Sequence, residues 1–185
     1  MNEPHEERIS VEIPGLERIL RGGFLPGRSY LVSGGPGTGK TTLGLQYLAS
    51  SSDGNGLLIS LGESERNLRA DAHRIGLSLD GTSVIDLSPG ADAEPEAAYT
   101  LLEPWEAEGV DIRSRIGALF PDGPPERVFI DALSQLRQLM PDAYQFRKQV
   151  MGLLEYLNSA GTTVLYTAEQ GSSADADLRY LGDGI

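Results

Sequence analysis

The residues best suited to chemistry form a glycine-rich run, Gly34-Gly35-Pro36-Gly37-Thr38-Gly39-Lys40-Thr41. This run fits the pattern G-x-x-x-x-G-K-[ST], in which glycines let the backbone wrap closely around an anion and point several N–H groups at it. The lysine of this pattern neutralises the outer phosphates of a nucleotide, and the hydroxyl that follows binds Mg²⁺. The run therefore predicts a site for a nucleoside triphosphate with Mg²⁺.

Each residue of the loop has an expected role. Lys40 is expected to face the β- and γ-phosphates as a catalytic and nucleotide-binding residue, Thr41 to bind Mg²⁺, and Thr42 to contact an outer phosphate. The predicted nucleotide-binding residues of the loop are Gly35, Pro36, Gly37, Thr38, Gly39, Lys40, Thr41 and Thr42. The alternative is a glycine-rich turn that holds no ligand. An apolar strand before the run, a helical pattern after it and an acid at a later strand end favour the nucleotide site.

That acid is Asp131, which ends the apolar segment 127–131. An acid at the end of such a strand is typical of the Walker B position, where it holds Mg²⁺. The alternative is that it caps the next helical turn, since Asp is a common N-cap residue. In a parallel α/β sheet, ligands sit at the carboxyl ends of the strands. Gly34, Glu63, Asp131 and Thr167 all follow or end predicted strands, so we expect them at one edge of the sheet.

Alternating apolar and helical patterns must position these residues. Strands are predicted at 29–33, 56–61, 83–87, 127–131 and 162–167, and helices at 40–51, 64–75, 111–119 and 142–159. The Pro-, Gly- and Ala-rich acidic segment 88–108 is predicted to be a variable loop with some helical content. The alternation predicts an α/β fold, with a mostly parallel central sheet and helices on both faces.

Composition excludes several classes of protein. The chain has 185 residues, a net charge of −12 and no cysteine, so a disulfide framework and a Cys-based zinc site are excluded. No apolar run reaches the roughly 20 residues of a membrane helix, and the acidic, polar N-terminus does not fit a signal peptide. We therefore expect a cytoplasmic protein without a membrane partner. The negative charge also argues against nucleic-acid binding, which depends on basic surface.

Several segments together resemble the KaiC-like branch of the RecA superfamily of ATPases, over roughly residues 13–185. They are residues 15–23 with 26–28, 56–64, 127–134 and 167–170. The resemblance implies a RecA-like P-loop NTPase core that binds and hydrolyses ATP, rather than GTP, with Mg²⁺. It also implies a homo-oligomer, commonly a hexameric ring with sites between subunits, that acts in timing or signalling and in some members phosphorylates itself.

The resemblance also implies the domain boundaries. Residues 1–12 are expected to form a polar N-terminal tail, and residues 13–185 the KaiC/RecA-like ATPase domain. This domain is expected to stop short of its C-terminal end, because residues 180–185 look like the start of another strand. The basic segment that reaches a neighbouring subunit's phosphate in the family is therefore not among these residues.

The same resemblance suggests further site residues. KaiC proteins usually carry two adjacent glutamates after the second strand, and the first serves as general base. This chain has Gly62-Glu63, so Glu63 is the predicted base, with a solvated glutamate at a helix start as the alternative. Thr167, Glu169 and Gln170 match the strand end that senses the γ-phosphate, although the last two also suit an ordinary loop.

Three functions remain open on these grounds. The first is a slowly ATP-hydrolysing, oligomeric signalling or timing switch, with a signalling protein as a further partner. The second is a nucleotide-binding module without useful hydrolysis, which Gly62 and the early end of the chain favour. The third is a DNA-handling ATPase of the RecA kind, which the net charge of −12 opposes.

Overall fold

The structure is a computed structural model that describes residues 8–51, 54–89, 112–139, 142–169 and 176–184. The strands are β1 (Ser29–Gly34), β2 (Gly56–Ser60), β3 (Ser83–Asp86), β4 (Arg127–Asp131) and β5 (Thr163–Glu169). The α-helices are α1 (Pro14–Ile19), α2 (Lys40–Ala49), α3 (Glu65–Arg74), α4 (Ile112–Leu119), α5 (Leu133–Leu139) and α6 (Ala143–Ser159). A 3-10 helix covers Ala176–Tyr180.

The five strands form one parallel sheet in the order β1-β5-β4-β2-β3. Strands of such a sheet are covered on both faces and therefore read as continuous apolar runs. All five residues of β2 are buried, as are the first four of β4. The predicted α/β fold with a mostly parallel sheet is confirmed.

Helices cover both faces of this sheet. The face with α2 and α3 holds an apolar cluster that includes Leu45, Leu48, Leu58, Leu68, Ala72, Phe129 and Leu165. The face with α4, α5 and α6 holds a second cluster that includes Ile59, Ile116, Ile130, Leu133, Leu136, Phe146, Val150 and Leu154. Within the described ranges, no helix combines the length and apolar character that crossing a membrane requires.

Residues 8–12, which the sequence analysis assigned to the tail, pack onto the α2 and α3 face. Ile9 and Val11 are buried there, and Ile9 exchanges two backbone hydrogen bonds with Phe24 at 2.8 and 2.9 Å. The segment 90–111, which contains most of the predicted variable loop, lies outside the described residues.

The structure adds elements that the sequence analysis did not predict. Helix α1 has Pro14 in its first turn, where a missing N–H costs nothing, but at six residues it is too short to show a periodic pattern. Helix α5 begins two residues after Asp131 and buries Leu133 and Leu136. Strand β5 continues to Glu169, beyond its predicted end at 167, because it stays paired with β1 through its last residue.

The outer edge of β1 contacts residues near the end of the chain. Gly184 forms an isolated parallel bridge with Tyr30, in which the N–H of Leu31 donates to the carbonyl of Gly184 at 2.9 Å. The N–H of Asp183 donates to the carbonyl of Ser29 at 2.7 Å. The bridge is parallel and lies within residues 180–185, where the sequence predicts the start of another strand.

Candidate nucleotide-binding site

The glycine-rich loop joins the end of β1 to the start of α2. Gly37 and Gly39 have φ values of 73° and 87°, a conformation that residues with a Cβ rarely adopt. Gly39 is also the N-cap of α2, so the left-handed residue directly precedes Lys40. The two glycines are therefore required by the backbone path that brings the loop to the helix N-terminus.

The loop closes on itself at its other end. The Thr38 hydroxyl donates to the carbonyl of Gly35 at 2.8 Å. A Cβ added at Gly34 would lie 2.5 Å from the Thr38 hydroxyl oxygen, so only glycine permits this approach. Thr38 thus holds the loop in one shape before any ligand arrives.

Lys40 lies over the loop. Its Nζ donates to the carbonyls of Gly34 and Gly35 at 3.0 and 2.9 Å. The ammonium group is therefore held beside the backbone that is expected to surround the phosphates. A bound phosphate would replace carbonyl oxygens as the acceptors of these protons.

Asp131 brings Thr41 and Thr167 together at the carboxyl edge of the sheet. Thr41 donates its hydroxyl proton to one carboxylate oxygen of Asp131 at 2.7 Å, and Thr167 donates to the other. Both oxygens are therefore directed at hydroxyls of the neighbouring elements α2 and β5, rather than at the first turn of α5, as the helix-cap alternative required. Three residues predicted from separate segments meet here.

The oxygens of Thr41 and Asp131 fit a hard divalent cation. Mg²⁺ takes hydroxyl and carboxylate oxygens and keeps several positions for water and substrate phosphate. In the part of the chain that the structure describes, no three His, Cys, Asp or Glu side chains group as a metal cage would. A cation at Thr41 and Asp131 would thus need phosphate and water oxygens to complete its shell, which is how Mg²⁺ binds at nucleotide sites.

Glu63 is half-buried between the end of β2 and the start of α3. Its backbone carbonyl accepts the Ser60 hydroxyl proton, and Ser64 caps α3 by accepting from the N–H of Asn67. Burial raises the pKa of the Glu63 carboxyl, and the carboxylates of Asp71 and Asp131 raise it further. A carboxylate with a raised pKa is a stronger base, so this group suits proton abstraction from water.

A cavity of about 410 Å³ opens between the loop and α3. Its lining residues are Gly37, Thr38, Gly39, Lys40, Thr41, Thr42, Leu45, Glu63, Asp71, Arg74 and Ile75. A larger cavity of about 500 Å³ lies at the amino end of β1, and its lining includes Arg8, Arg28, Tyr30 and Asp183. We assign the site to the smaller cavity because it contains the loop and Glu63, whereas the larger one contains none of the predicted site residues.

The predicted phosphate sensors lie at the same edge of the sheet but outside the lining of this cavity. Thr167 is buried on β5, and Glu169 is exposed at the last position of that strand, where it is the register partner of Gly34. Gln170 lies outside the described residues.

Helix α3 contributes a wall of the cavity that was not predicted from the sequence. Asp71, Arg74 and Ile75 are spaced three and four residues apart, so they share one face of the helix. Arg74 forms an ion pair with Asp71, and Ile75 is 51% exposed. The spacing was visible in the sequence, but it does not reveal that this face turns toward the glycine-rich loop.

Comparison with known protein families identifies the family of this chain. A family model described as the KaiC ATPase matches residues 9–181, which is most of the chain. The chain belongs to the KaiC family of ATPases. The predicted resemblance to KaiC-like P-loop ATPases of the RecA superfamily is confirmed, and the parallel five-stranded sheet is consistent with a RecA-like core.

Individual relatives are distant. The circadian clock oscillator protein KaiC of Prochlorococcus marinus subsp. pastoris is 28% identical over 183 residues, which cover 94% of this chain and 35% of the relative. The protein of the same name from a Picosynechococcus species is 29% identical over 174 residues, or 89% of this chain and 32% of the relative. A UPF0273 protein of Saccharolobus solfataricus is 27% identical over 171 residues, or 88% and 60%. This KaiC-family chain thus spans about a third of the length of the KaiC relatives.

Proposed function

We propose that this KaiC-family chain binds ATP with Mg²⁺ at residues 35–42 and hydrolyses it slowly. The observation that carries the proposal is the hydrogen bond of 2.7 Å between Thr41 and Asp131. It joins the start of α2 to the end of β4 beside the glycine-rich loop, which is the arrangement that a nucleotide-bound Mg²⁺ requires.

The loop and Lys40 have the binding role. The N–H groups of Gly35 and of residues 37–42, together with the positive N-terminal end of α2, stabilise the negative charge of the phosphates, whereas Pro36 has no N–H to donate. Lys40 exchanges its carbonyl partners for outer phosphate oxygens. Thr41 and Asp131 hold Mg²⁺, which would neutralise charge on the phosphate oxygens when bound.

Strand β5 supports this site. Thr167 supports Asp131 by donating to the carboxylate oxygen that Thr41 leaves unused. We include Thr167, Glu169 and Gln170 in the proposal as sensors of the terminal phosphate; the support is that Thr167 and Glu169 lie on β5, where Glu169 is the register partner of Gly34.

Glu63 has the catalytic role. The oxygen of a water attacks the γ-phosphorus, and the bond from that phosphorus to the β–γ bridging oxygen breaks as the new bond forms. Glu63 accepts the proton that the water loses, and the products are ADP and inorganic phosphate. Turnover is slow because Gly62 leaves Glu63 as the only acid of its pair.

Measurements of nucleotide binding and phosphate release test these roles separately. Lys40→Ala should abolish ATP binding, Asp131→Asn should remove the Mg²⁺ dependence, and Glu63→Gln should bind ATP without turnover. Arg66→Ala serves as the matched control, because Arg66 is exposed on α3 and does not line the cavity. Failure of the purified chain to bind ATP would refute the proposal.

The second candidate is a nucleotide-binding module without useful hydrolysis. The observation that favours it is Gly62, which provides no carboxylate beside Glu63. Tight ATP binding with no phosphate release, in this chain and in a longer protein that contains it, would select this candidate over the first.

We further propose that the chain works in the cytoplasm as an oligomeric signalling or timing switch. The KaiC relatives named as circadian clock oscillator proteins support this role. In this proposal the parent protein forms a hexameric ring with ATP sites between subunits, and a signalling protein is its further partner. Mass measurement with and without ATP tests assembly, and transfer of labelled phosphate from ATP tests autokinase activity.

A further inference from the structure

The cavity beside the glycine-rich loop has a second wall, which α3 provides. This helix begins after Glu63 and the N-cap Ser64, and Asp71 and Arg74 of its last turn line the cavity together with the C-cap residue Ile75. Lys40 and Glu63 line the same space. The α3 wall therefore faces the same cavity as the proposed base and the lysine of the loop.

The lining of this cavity contains charged side chains of both signs. Its lining includes two carboxylates, Glu63 and Asp71, and two cations, Lys40 and Arg74. Lys40 is committed to the loop by its bonds to two carbonyls. A triphosphate that enters adds several negative charges close to both carboxylates, so it needs cationic compensation on the α3 side as well.

We propose that Arg74 is a further nucleotide-binding residue, whose guanidinium leaves Asp71 and contacts the terminal phosphate. The inference rests on the proposed function, since it requires a nucleoside triphosphate in this cavity. The terminal phosphate lies between Lys40, which faces the outer phosphates, and Glu63, which faces the attacking water.

Arg74 is available for this exchange. Its ion pair with Asp71 is a surface pair, in which the side chains are 75% and 47% exposed, and such pairs contribute little to stability. A guanidinium binds phosphate through two parallel N–H bonds, which are stronger than a screened surface pair.

The neighbouring Arg69 is not available in the same way. Its guanidinium donates to the carbonyls of Leu79 and Thr82 at 3.0 and 2.9 Å, and it also pairs with Glu65. These bonds tie α3 to the segment before β3, so Arg69 has a structural role.

Paired affinity measurements test the inference. We compare Arg74→Ala with Arg66→Ala for binding of a non-hydrolysable ATP analogue and of ADP, both with Mg²⁺. Arg74→Ala should weaken analogue binding about tenfold, while ADP binding should stay within about twofold because ADP lacks the contacted phosphate. Arg66→Ala should change neither affinity by more than about twofold. Equal losses for both nucleotides, or no loss for the analogue, would overturn the inference.

A double-mutant cycle with Asp71 provides a second test. Asp71→Asn frees Arg74 and should tighten analogue binding roughly threefold, whereas in the Arg74→Ala background most of this gain should be lost. A gain of the same size in both backgrounds would mean a general charge effect and would contradict the inference. Arg74→Lys should restore part of the affinity as a point charge.

These outcomes separate the inference from the function on which it rests. If the unaltered chain binds neither nucleotide, the proposed function fails and the inference fails with it. If the unaltered chain binds both and Arg74→Ala binds both equally well, only the inference fails. Circular dichroism and thermal unfolding of each variant test whether the fold is kept.

Discussion

Replacing Gly44 with alanine should destabilise the fold and disturb the distance between Thr41 and Asp131. Gly44 is buried in the middle of α2, the helix that begins with Lys40 and Thr41. A Cβ added there would lie 1.9 to 2.2 Å from ring atoms of Phe129, which is on β4 two residues before Asp131. The absence of a Cβ at Gly44 therefore allows α2 to lie this close to β4.

The magnitude follows from two opposing terms. Alanine is more favourable than glycine in a helix interior by about 0.8–1 kcal/mol. Carbon atoms normally approach to about 3.5–4.0 Å, so the new methyl group would have to move the helix or the ring by more than 1 Å. Phe129 is fully buried, so its ring can turn only by displacing the side chains packed around it. Overpacking of this kind costs about 1–3 kcal/mol and occasionally more.

The cost of overpacking should exceed the gain in helix propensity, with a net loss of roughly 2 kcal/mol in the free energy of unfolding. For a chain of this size, such a loss lowers the melting temperature by about 4–8 °C. Thermal and denaturant unfolding measure the loss directly. Because α2 shifts away from β4, the affinity for ATP with Mg²⁺ should fall in the same variant.

Gly117→Ala is the matched control. Gly117 lies in α4, is exposed, and would place its Cβ at least 4 Å from any other heavy atom outside its own helix turn. It should therefore gain up to about 0.8–1 kcal/mol from helix propensity alone. Gly44→Ala combined with Phe129→Leu should recover part of the lost stability. A Gly44→Ala variant as stable as the unaltered chain would refute the reasoning.

Three other substitutions test the catalytic edge of the sheet. The substitution Gly62→Glu should fit, because a Cβ there lies no closer than 3.4 Å to Gln135. A second acid beside Glu63 should raise the rate of phosphate release about tenfold or more. An unchanged rate would argue against a role for this position. Glu63→Gln should raise the melting temperature at neutral pH. The folded chain binds the Glu63 proton more tightly than the unfolded chain, so the stability of the unaltered protein falls as pH rises between the ordinary and the raised pKa. The gain of the variant should vanish below the ordinary pKa in melting curves across the acidic range. The substitution Thr167→Val removes the hydroxyl that donates to Asp131. It should raise the Mg²⁺ concentration needed for half-maximal turnover about tenfold. An unchanged Mg²⁺ titration would contradict the supporting role of Thr167.

The sequence was most informative where local physics decides the structure. The glycine-rich loop could be predicted from its glycine pattern, because glycine adopts at little cost the φ values of 73° and 87° that the structure has at Gly37 and Gly39. Strands β2 and β4 were predicted because burial on both faces leaves continuous apolar runs. Ser64 and Asp142 mark helix starts because their side chains accept backbone N–H bonds.

Contacts between distant segments were harder to predict. Thr41 and Asp131 are 90 residues apart, and only the parallel order of the strands brings them together. The position of Arg74 in the cavity depends on the angle at which α3 crosses the sheet, which no local pattern encodes. The extension of β5 to Glu169 likewise depends on its partner strand, because the register with Gly34 supplies the hydrogen bonds.

The bonds from Lys40 to the carbonyls of Gly34 and Gly35 have a consequence for how affinity should be interpreted. Two of the three N–H donors of the ammonium group have acceptors within the loop, so these carbonyls compete with a phosphate for Lys40. The affinity for a phosphate ligand then reflects the difference in free energy between the bonds of Lys40 to the phosphate and its bonds to the two carbonyls. A single phosphate group, which offers few other contacts, should bind weakly, while a triphosphate gains from every further N–H of the loop. The self-bonded lysine thus favours long phosphate chains over short ones.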